Sequence, residues 1–278
     1  MFDYGVAFEL SDRVRRIVAP NPGAMTGPGT NTYLVGREQL AVIDPGPAIS
    51  SHIDAILAAG AGRIRWIFCT HTHSDHSPAW QMLAQATGAE VLGASPADDC
   101  FQDSSFVPTC ELQHNYLLSA TGFTLRALHT PGHVSNHYCF LLEEEGILFA
   151  GDHLMNGSTV VIIPPGGDMK AYIESLQRLL DYPLQRVAPG HGEMMDNPVK
   201  EIARLIEHRL KREQKVLASL ARLGRVDSNV LVKMVYDDVD PGLYEWAKLS
   251  MAAHLIKLVR EQRAQEHADG SWELLTAP

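Results

Sequence analysis

His71-Thr72-His73-Ser74-Asp75-His76 places four metal-capable side chains within six residues. The stretch directly follows Ile64–Cys69, an apolar run that reads as a strand. Three histidines and an aspartate crowded into one loop have no packing value, and protonated imidazoles would repel one another. A metal ion removes the conflict, because neutral imidazoles and a carboxylate can share it. One loop cannot complete two coordination spheres, so further ligands must come from elsewhere. Three other predicted strands end at suitable residues. Thr124–Leu128 runs into His129-Thr130-Pro131-Gly132-His133, Gly146–Ala150 into Gly151-Asp152, and Arg186–Ala188 into Pro189-Gly190-His191-Gly192. Strand ends gathered at one sheet edge aim their side chains at one point, and glycine beside the ligand permits the sharp turn.

Working outward, Val14–Val18, Asn31–Val35 and Leu40–Ile43 also read as strands, each stopped by turn chemistry such as Asn21-Pro22-Gly23 and Asp44-Pro45-Gly46. Tyr138–Leu142 pairs naturally with Gly146–Ala150. Helical segments are expected at about Ser51–Ala59 and Met169–Leu180. Strands alternating with helices give an α/β or α+β class with layered sheets. From Pro198 the pattern becomes helical: one long segment to Leu223 stopped by Gly224, then Ser228–Tyr236, then Leu243–Arg260. The last carries Leu243, Trp246, Ala247, Met251, Leu255 and Leu258 on one face. Ser271–Leu275 is a candidate terminal strand. The boundary falls near residue 198, giving a domain of residues 1–198 and a small one of residues 199–278.

Of the 278 residues, 45% are apolar and 20% charged, ordinary for a globular protein. No apolar run is long enough to span a bilayer. Met1-Phe2-Asp3-Tyr4 lacks the basic and then apolar pattern of a signal peptide, so a cytoplasmic location without membrane attachment is expected. Cys69, Cys100, Cys110 and Cys139 form no C-x-x-C pair and read as free, buried small residues in a reducing compartment. The net charge of −10 is uneven: residues 1–198 carry −11 and residues 199–266 carry +3. An acidic body repels polyanions; Arg209, Lys211, Arg212 and Lys215 on the long helix are the candidate attraction for an anionic substrate. His114, His129, His137 and His153 are candidates for supporting the ligands, whereas His52, His208, His254 and His267 are expected in solvent.

The motifs H-x-H-x-D-H, T-P-G-H, G-D and P-G-H-G, in this order, resemble the metallo-β-lactamase superfamily over residues 10–195. The resemblance implies an α+β fold, the four-layer αββα sandwich. It implies that His71, His73 and His133 hold a first metal, that Asp75, His76 and His191 hold a second, and that Asp152 bridges them. Gly29-Thr30-Asn31-Thr32-Tyr33-Leu34-Val35-Gly36, His208-Arg209, Arg212-Glu213-Gln214 and Leu243–Leu258 resemble the β-lactamase-like-2 subgroup, whose animal members are mitochondrial endoribonucleases. That subgroup adds a small C-terminal winged-helix-like domain, which must pack on its own core, on the hydrolase domain or on a second chain.

The implied activity is that of a binuclear metal hydrolase in which a metal-bridging hydroxide attacks an ester, thioester or lactone. Asp75 and Asp152 are the catalytic candidates besides ligating. Nitrogen and oxygen donors without thiolate suit zinc first, with manganese or iron also accommodated. A small-molecule substrate fits the acidic hydrolase domain. The alternatives are an endoribonuclease or phosphodiesterase acting on single-stranded RNA, and a non-catalytic binding protein on a hydrolase fold. Intact ligands count against the last. The sequence does not identify substrate-binding residues; Asn156-Gly157-Ser158-Thr159 and Pro164-Pro165-Gly166-Gly167 are candidate pocket loops.

Overall fold

Seven strands form the first sheet, in the order of the chain: β1 (Phe8–Glu9), β2 (Val14–Val18), β3 (Asn31–Val35), β4 (Leu40–Ile43), β5 (Ile64–Phe68), β6 (Glu90–Gly93) and β7 (Cys110–Glu111). The strands β1 to β4 run antiparallel, and β4 to β7 are parallel. Parallel pairs need crossovers, supplied by α1 (Ser50–Gly60) for β4–β5, by α2 (Trp80–Thr87) for β5–β6 and by the loop of residues 94–109 for β6–β7. The second sheet has the order β13-β12-β11-β10-β9-β8, from β8 (Leu117–Ala120), β9 (Phe123–His129), β10 (Tyr138–Leu142), β11 (Ile147–Gly151), β12 (Arg186–Pro189) and β13 (Met195–Asp196). Only its β11–β12 pair is parallel.

This is a computed structural model, and it describes residues 3–275. They divide into two compact units. The first holds both sheets, α1 and α2, and comprises the described residues up to Thr130, with Asn136–Val160 and Tyr182–Val199. Its two sheets enclose a core in which Tyr33 meets Phe149 at 5.1 Å and Phe68 meets Phe140 at 5.0 Å between ring centroids. The other face of the first sheet packs Ile17, Leu34, Val42 and Ile67 against Ile56 and Leu83 of the two helices. Every residue of β3, β4, β10 and β11 is buried; β4, β10 and β11 are accordingly continuous apolar runs, whereas β3 opens with Asn31 and Thr32, whose side chains are hydrogen-bonded. Each large side chain buried here contributes about 1.5–3 kcal/mol relative to exposure.

The second unit comprises Pro131–Ser135, Val161–Asp181 and the described residues from Lys200 onward. It holds α3 (Met169–Leu179), most of α4 (Pro198–Leu223), α5 (Ser228–Val235), α6 (Tyr244–Arg260), and the hairpin of β14 (Ala264–Glu266) and β15 (Trp272–Leu274). Val216, Leu220, Leu231, Val235, Met251, Leu255 and Trp272 give this region its own core. Asp168 caps α3, accepting the Ala171 N–H at 2.9 Å, and pairs with Arg260 of α6. Among the described residues, no helix is long and apolar enough to cross a membrane.

Several expectations are corrected. His52 and His254 are fully buried rather than in solvent. Leu243 and Trp246 lie outside the buried face of α6 and are exposed, while Ala253 and the stem of Lys257 are buried there. Cys100 is exposed and Cys110 half-buried; Cys69 and Cys139 are buried, and all four are free thiols. Arg209 and Arg212 are buried, and the helix charges find partners at home: Arg212 with Asp238 at 2.8 Å, Lys215 with Asp237 at 2.6 Å, Lys211 with Glu207 at 2.7 Å.

Candidate metal centre

The register of the parallel strands sets the centre. In the first sheet Ile43 stands beside Phe68, so the turn after β4 lies against the loop after β5. In the second, Gly151 stands beside Pro189, so Asp152 and His191 emerge as neighbours. The Gly190 N–H donates to the Gly151 carbonyl at 2.8 Å and fixes that pair. From the first sheet, the Asn31 N–H donates to the Gly190 carbonyl at 2.8 Å, and the Asn31 and Tyr33 side chains donate to the Pro189 carbonyl at 2.9 and 2.7 Å. The Gly29–Gly36 stretch thus pins the Pro189–Gly192 loop in place.

Six of the seven expected ligands gather in the first unit. One ligand atom each from His71, His76 and Asp152 lies within 4.8 Å of the others, and the same holds for Asp75, His76 and His191. His71 Nε2 and His73 Nδ1 are 3.1 Å apart. His133 lies on the short segment grouped with the second unit, where its Nδ1 donates to the Val161 carbonyl at 2.9 Å, which directs Nε2 outward as an acceptor. A side chain at Gly190 would reach 2.7 Å from both Asp152 Oδ1 and the His76 ring, so only glycine leaves this space open.

Asp44, read in the sequence only as part of a turn, organises the ligands. It is buried, adopts a left-handed backbone (φ 52°), and its Oδ1 accepts the Thr70 N–H at 2.7 Å. Its Oδ2 accepts His76 Nδ1 at 2.9 Å and the Thr70 hydroxyl at 2.8 Å. Because that hydroxyl donates to Asp44, it can only accept from His71 Nδ1, 3.0 Å away. One carboxylate thereby fixes the tautomers of two ligands and turns both Nε2 lone pairs inward. His191 Nδ1 is similarly held by the Gly29 carbonyl at 3.2 Å. Of the histidines expected to support the site, His137 is buried with its ring 5.1 Å from that of His71, its Nδ1 at 2.9 Å from the Thr130 hydroxyl. His153 is buried at 5.6 Å from His137. The His114 ring accepts the His129 backbone N–H instead.

The inward atoms conflict with one another. Asp75 Oδ2 stands 3.4 Å from His76 Nε2 and 3.2 Å from His191 Nε2; Asp152 Oδ1 stands 3.4 Å from each. Both Nε2 atoms are buried without a hydrogen-bond partner. Lone pairs facing carboxylate oxygens in a buried site need either protons or cations. In the absence of an ion the carboxylates supply the first answer. Burial works against charging His76, but Asp75, Asp152 and Asp44 raise its pKa well above the ordinary value. Burial likewise opposes charging of His191, and Asp152 and Asp75 raise its pKa. Burial pushes Asp75 up, and His76 and His191 outweigh it, holding the carboxyl down to about 2. Divalent ions supply the second answer, and the set of imidazoles and carboxylates fits them.

Comparison with known proteins agrees. Residues 25–191 match the metallo-β-lactamase superfamily, and residues 227–272 match the β-lactamase associated winged helix domain. The β-lactamase-like protein 2 homolog of Drosophila melanogaster is 33% identical over 268 residues, covering 91% of this chain and 89% of its own. An atrochrysone carboxyl ACP thioesterase of Aspergillus fumigatus is 33% identical over 220 residues, covering 78% of this chain and 67% of its own. A β-lactamase domain protein of Burkholderia ambifaria superposes with a TM-score of 0.82 at 18% identity, covering 98% of this chain and 94% of that one. The chain belongs to the metallo-β-lactamase superfamily of hydrolases and carries the superfamily's associated winged helix at its C-terminal end.

Proposed function

We propose that the chain is a binuclear metal hydrolase of thioesters or related esters and lactones. The observation that carries this reading is the pair of buried, unpartnered Nε2 atoms of His76 and His191 facing Asp75 and Asp152. In this reading His71, His73 and His133 would hold the first metal. Asp75, His76 and His191 would hold the second, and Asp152 would serve both. Zinc is the first choice among divalent ions for such donors, with manganese and iron next. Residues 1–198 form the hydrolase domain and residues 199–278 the winged-helix domain. The free thiols fit a cytoplasmic enzyme.

When bound, two divalent ions lower the pKa of water to near neutrality and neutralise the charge that develops on the carbonyl oxygen. The remaining work belongs to the chain. Asp44 and Gly29 orient the imidazoles. Asp75 would accept the proton of the attacking water at its carboxylate and pass it towards the leaving group. Thr30, whose backbone N–H and hydroxyl are both tied to Asn21 at 2.9 Å, stands 3.4 Å from Asp75 Oδ2 and limits its rotation.

The thioester reading draws on the thioesterase relative and on the acidic hydrolase domain, which disfavours polyanions. The paired state of Arg212 and Lys215 removes the main support for RNA. The test is a substrate panel on metal-loaded protein: thioesters, lactones, bis-p-nitrophenyl phosphate and single-stranded RNA. Thioester or lactone turnover that is lost on chelation and restored by metal is the expected result; cleavage of RNA alone would replace this reading.

A further inference from the structure

The loop between β6 and β7 carries an aromatic side chain with no structural duty. Phe101 is 47% exposed, yet its ring stands edge-on at 6.2 Å from the ring of His73. The residues around it are fixed. The Phe101 N–H donates to Asp99 Oδ1 at 2.9 Å. Gln102 receives the Thr72 hydroxyl, donates to Asp99 Oδ2 at 2.8 Å, and forms a backbone bridge with His73. The Asp103 N–H donates to the Thr72 carbonyl at 2.5 Å, and its carboxylate accepts the Ser77 hydroxyl at 2.8 Å. The backbone directly after Phe101 is therefore clamped to the loop that bears His71, His73, Asp75 and His76, and Asp99 holds the Phe101 N–H from the other side. A rigid aromatic held in solvent loses little entropy when a ligand covers it.

We infer that Phe101 is a specificity-determining residue that packs against the acyl part of the substrate beside the first metal and selects uncharged, apolar acyl groups. This rests on the hydrolase reading above. Two features set the class. Phe101 is the one large apolar side chain in Asp98-Asp99-Cys100-Phe101-Gln102-Asp103-Ser104-Ser105, so affinity gained there comes from apolar contact. The flanking Asp98 and Asp99 repel an acyl group that ends in a carboxylate. A phenylacetyl group should therefore be preferred over acetyl, and succinyl disfavoured.

The test compares wild type, Phe101→Ala and Phe101→Leu on acetyl, phenylacetyl and succinyl thioesters of one leaving group, with metal content and Tm measured for each. Phe101→Ala should raise KM for the phenylacetyl thioester about tenfold, the scale expected for half a buried ring. It should leave kcat within about twofold, leave the acetyl substrate unchanged, and leave Tm and metal content at wild-type values; Leu should restore most of the preference. Equal changes for acetyl and phenylacetyl, or none, would overturn the assignment. If the wild type turns over no thioester, ester or lactone, the hydrolase reading fails by itself. Phe101 is then judged by calorimetric binding of phenylacetate and acetate to the metal-loaded proteins: phenylacetate bound more tightly by wild type and not by Phe101→Ala supports the assignment, and equal ratios in the two proteins overturn it.

Discussion

Two buried clusters of ionisable groups, one in each unit, have opposite electrostatics. In the second unit, Glu213 is almost fully buried but meets Lys257 at 2.6 Å and Arg263 at 3.1 Å, and Arg212 meets Asp238. Its charges neutralise one another, and the histidine among them, His254, stays neutral: burial first, then Arg209, Lys257, Arg212 and His208, hold its pKa well below the ordinary value. In the first unit, acceptors converge on acceptors, and the carboxylates drive His76 and His191 the other way. Crowding of charge therefore does not by itself make a site. What marks one is a set of lone pairs that cannot satisfy each other, held in place by groups that can.

The contrast breaks most visibly at Asp152. Asp152→Ala should lower turnover by on the order of a thousandfold or more, the loss expected when a preorganised charge at the reacting centre is removed. Near wild-type rates at measured full metal occupancy would refute the role. Glu213→Ala should do the reverse. Lys257 keeps Glu261 at 2.9 Å but loses its buried partner, which should cost about 1.5 kcal/mol in denaturant unfolding, with metal content unchanged; a loss of metal would mean that the second cluster serves the centre after all.

Smaller effects sharpen the comparison. Asp44→Asn keeps the shape but weakens the orientation of His71 and His76, and should reduce metal affinity about 10–100-fold by competition with a chelator. His254 tests the sign of the second cluster. Its folded pKa lies below the unfolded value, so the unfolded chain binds the extra proton. The associated stability is present above about pH 6.5 and is lost as pH falls below it. Between pH 6.5 and 5.5 the wild type should lose about 1 kcal/mol more than His254→Phe; parallel pH profiles would show that His254 is not held neutral. Acid should act on the metal centre too, by releasing its ions, because ligand protons and metal compete for the same atoms.

Much of this was legible in the sequence where the signal was local. The strands Leu40–Ile43 and Tyr138–Leu142 follow from apolar runs, and Val14–Val18 and Asn31–Val35 from short stretches rich in β-branched residues ended by turn residues. The two-residue strands β1, β7 and β13 are too short to show periodicity, and α2 has no side-chain cap to announce its start. The ligand motifs could be read because they crowd reactive residues at strand ends. Asp44 could not, since Asp-Pro-Gly is ordinary turn chemistry and its role depends on β4 lying beside β5. The burial of His52 and His254 was equally hidden. His52 is covered on α1 and bonded to the Thr32 hydroxyl at 2.8 Å, and His254 lies on the face of α6 that packs into the second unit. Helical periodicity gives the face of a helix but not what meets it.

The most direct test is elemental analysis of the protein purified without chelators and again after reconstitution and desalting. Two equivalents of a divalent transition metal per chain, falling to one or fewer in Asp152→Ala, and a Tm lowered by about 10 °C on chelation, as binding free energy of a few kcal/mol requires, are the expected results. A wild-type protein that contains no metal, takes none up on reconstitution and melts at the same temperature with or without chelator would contradict the metal centre itself.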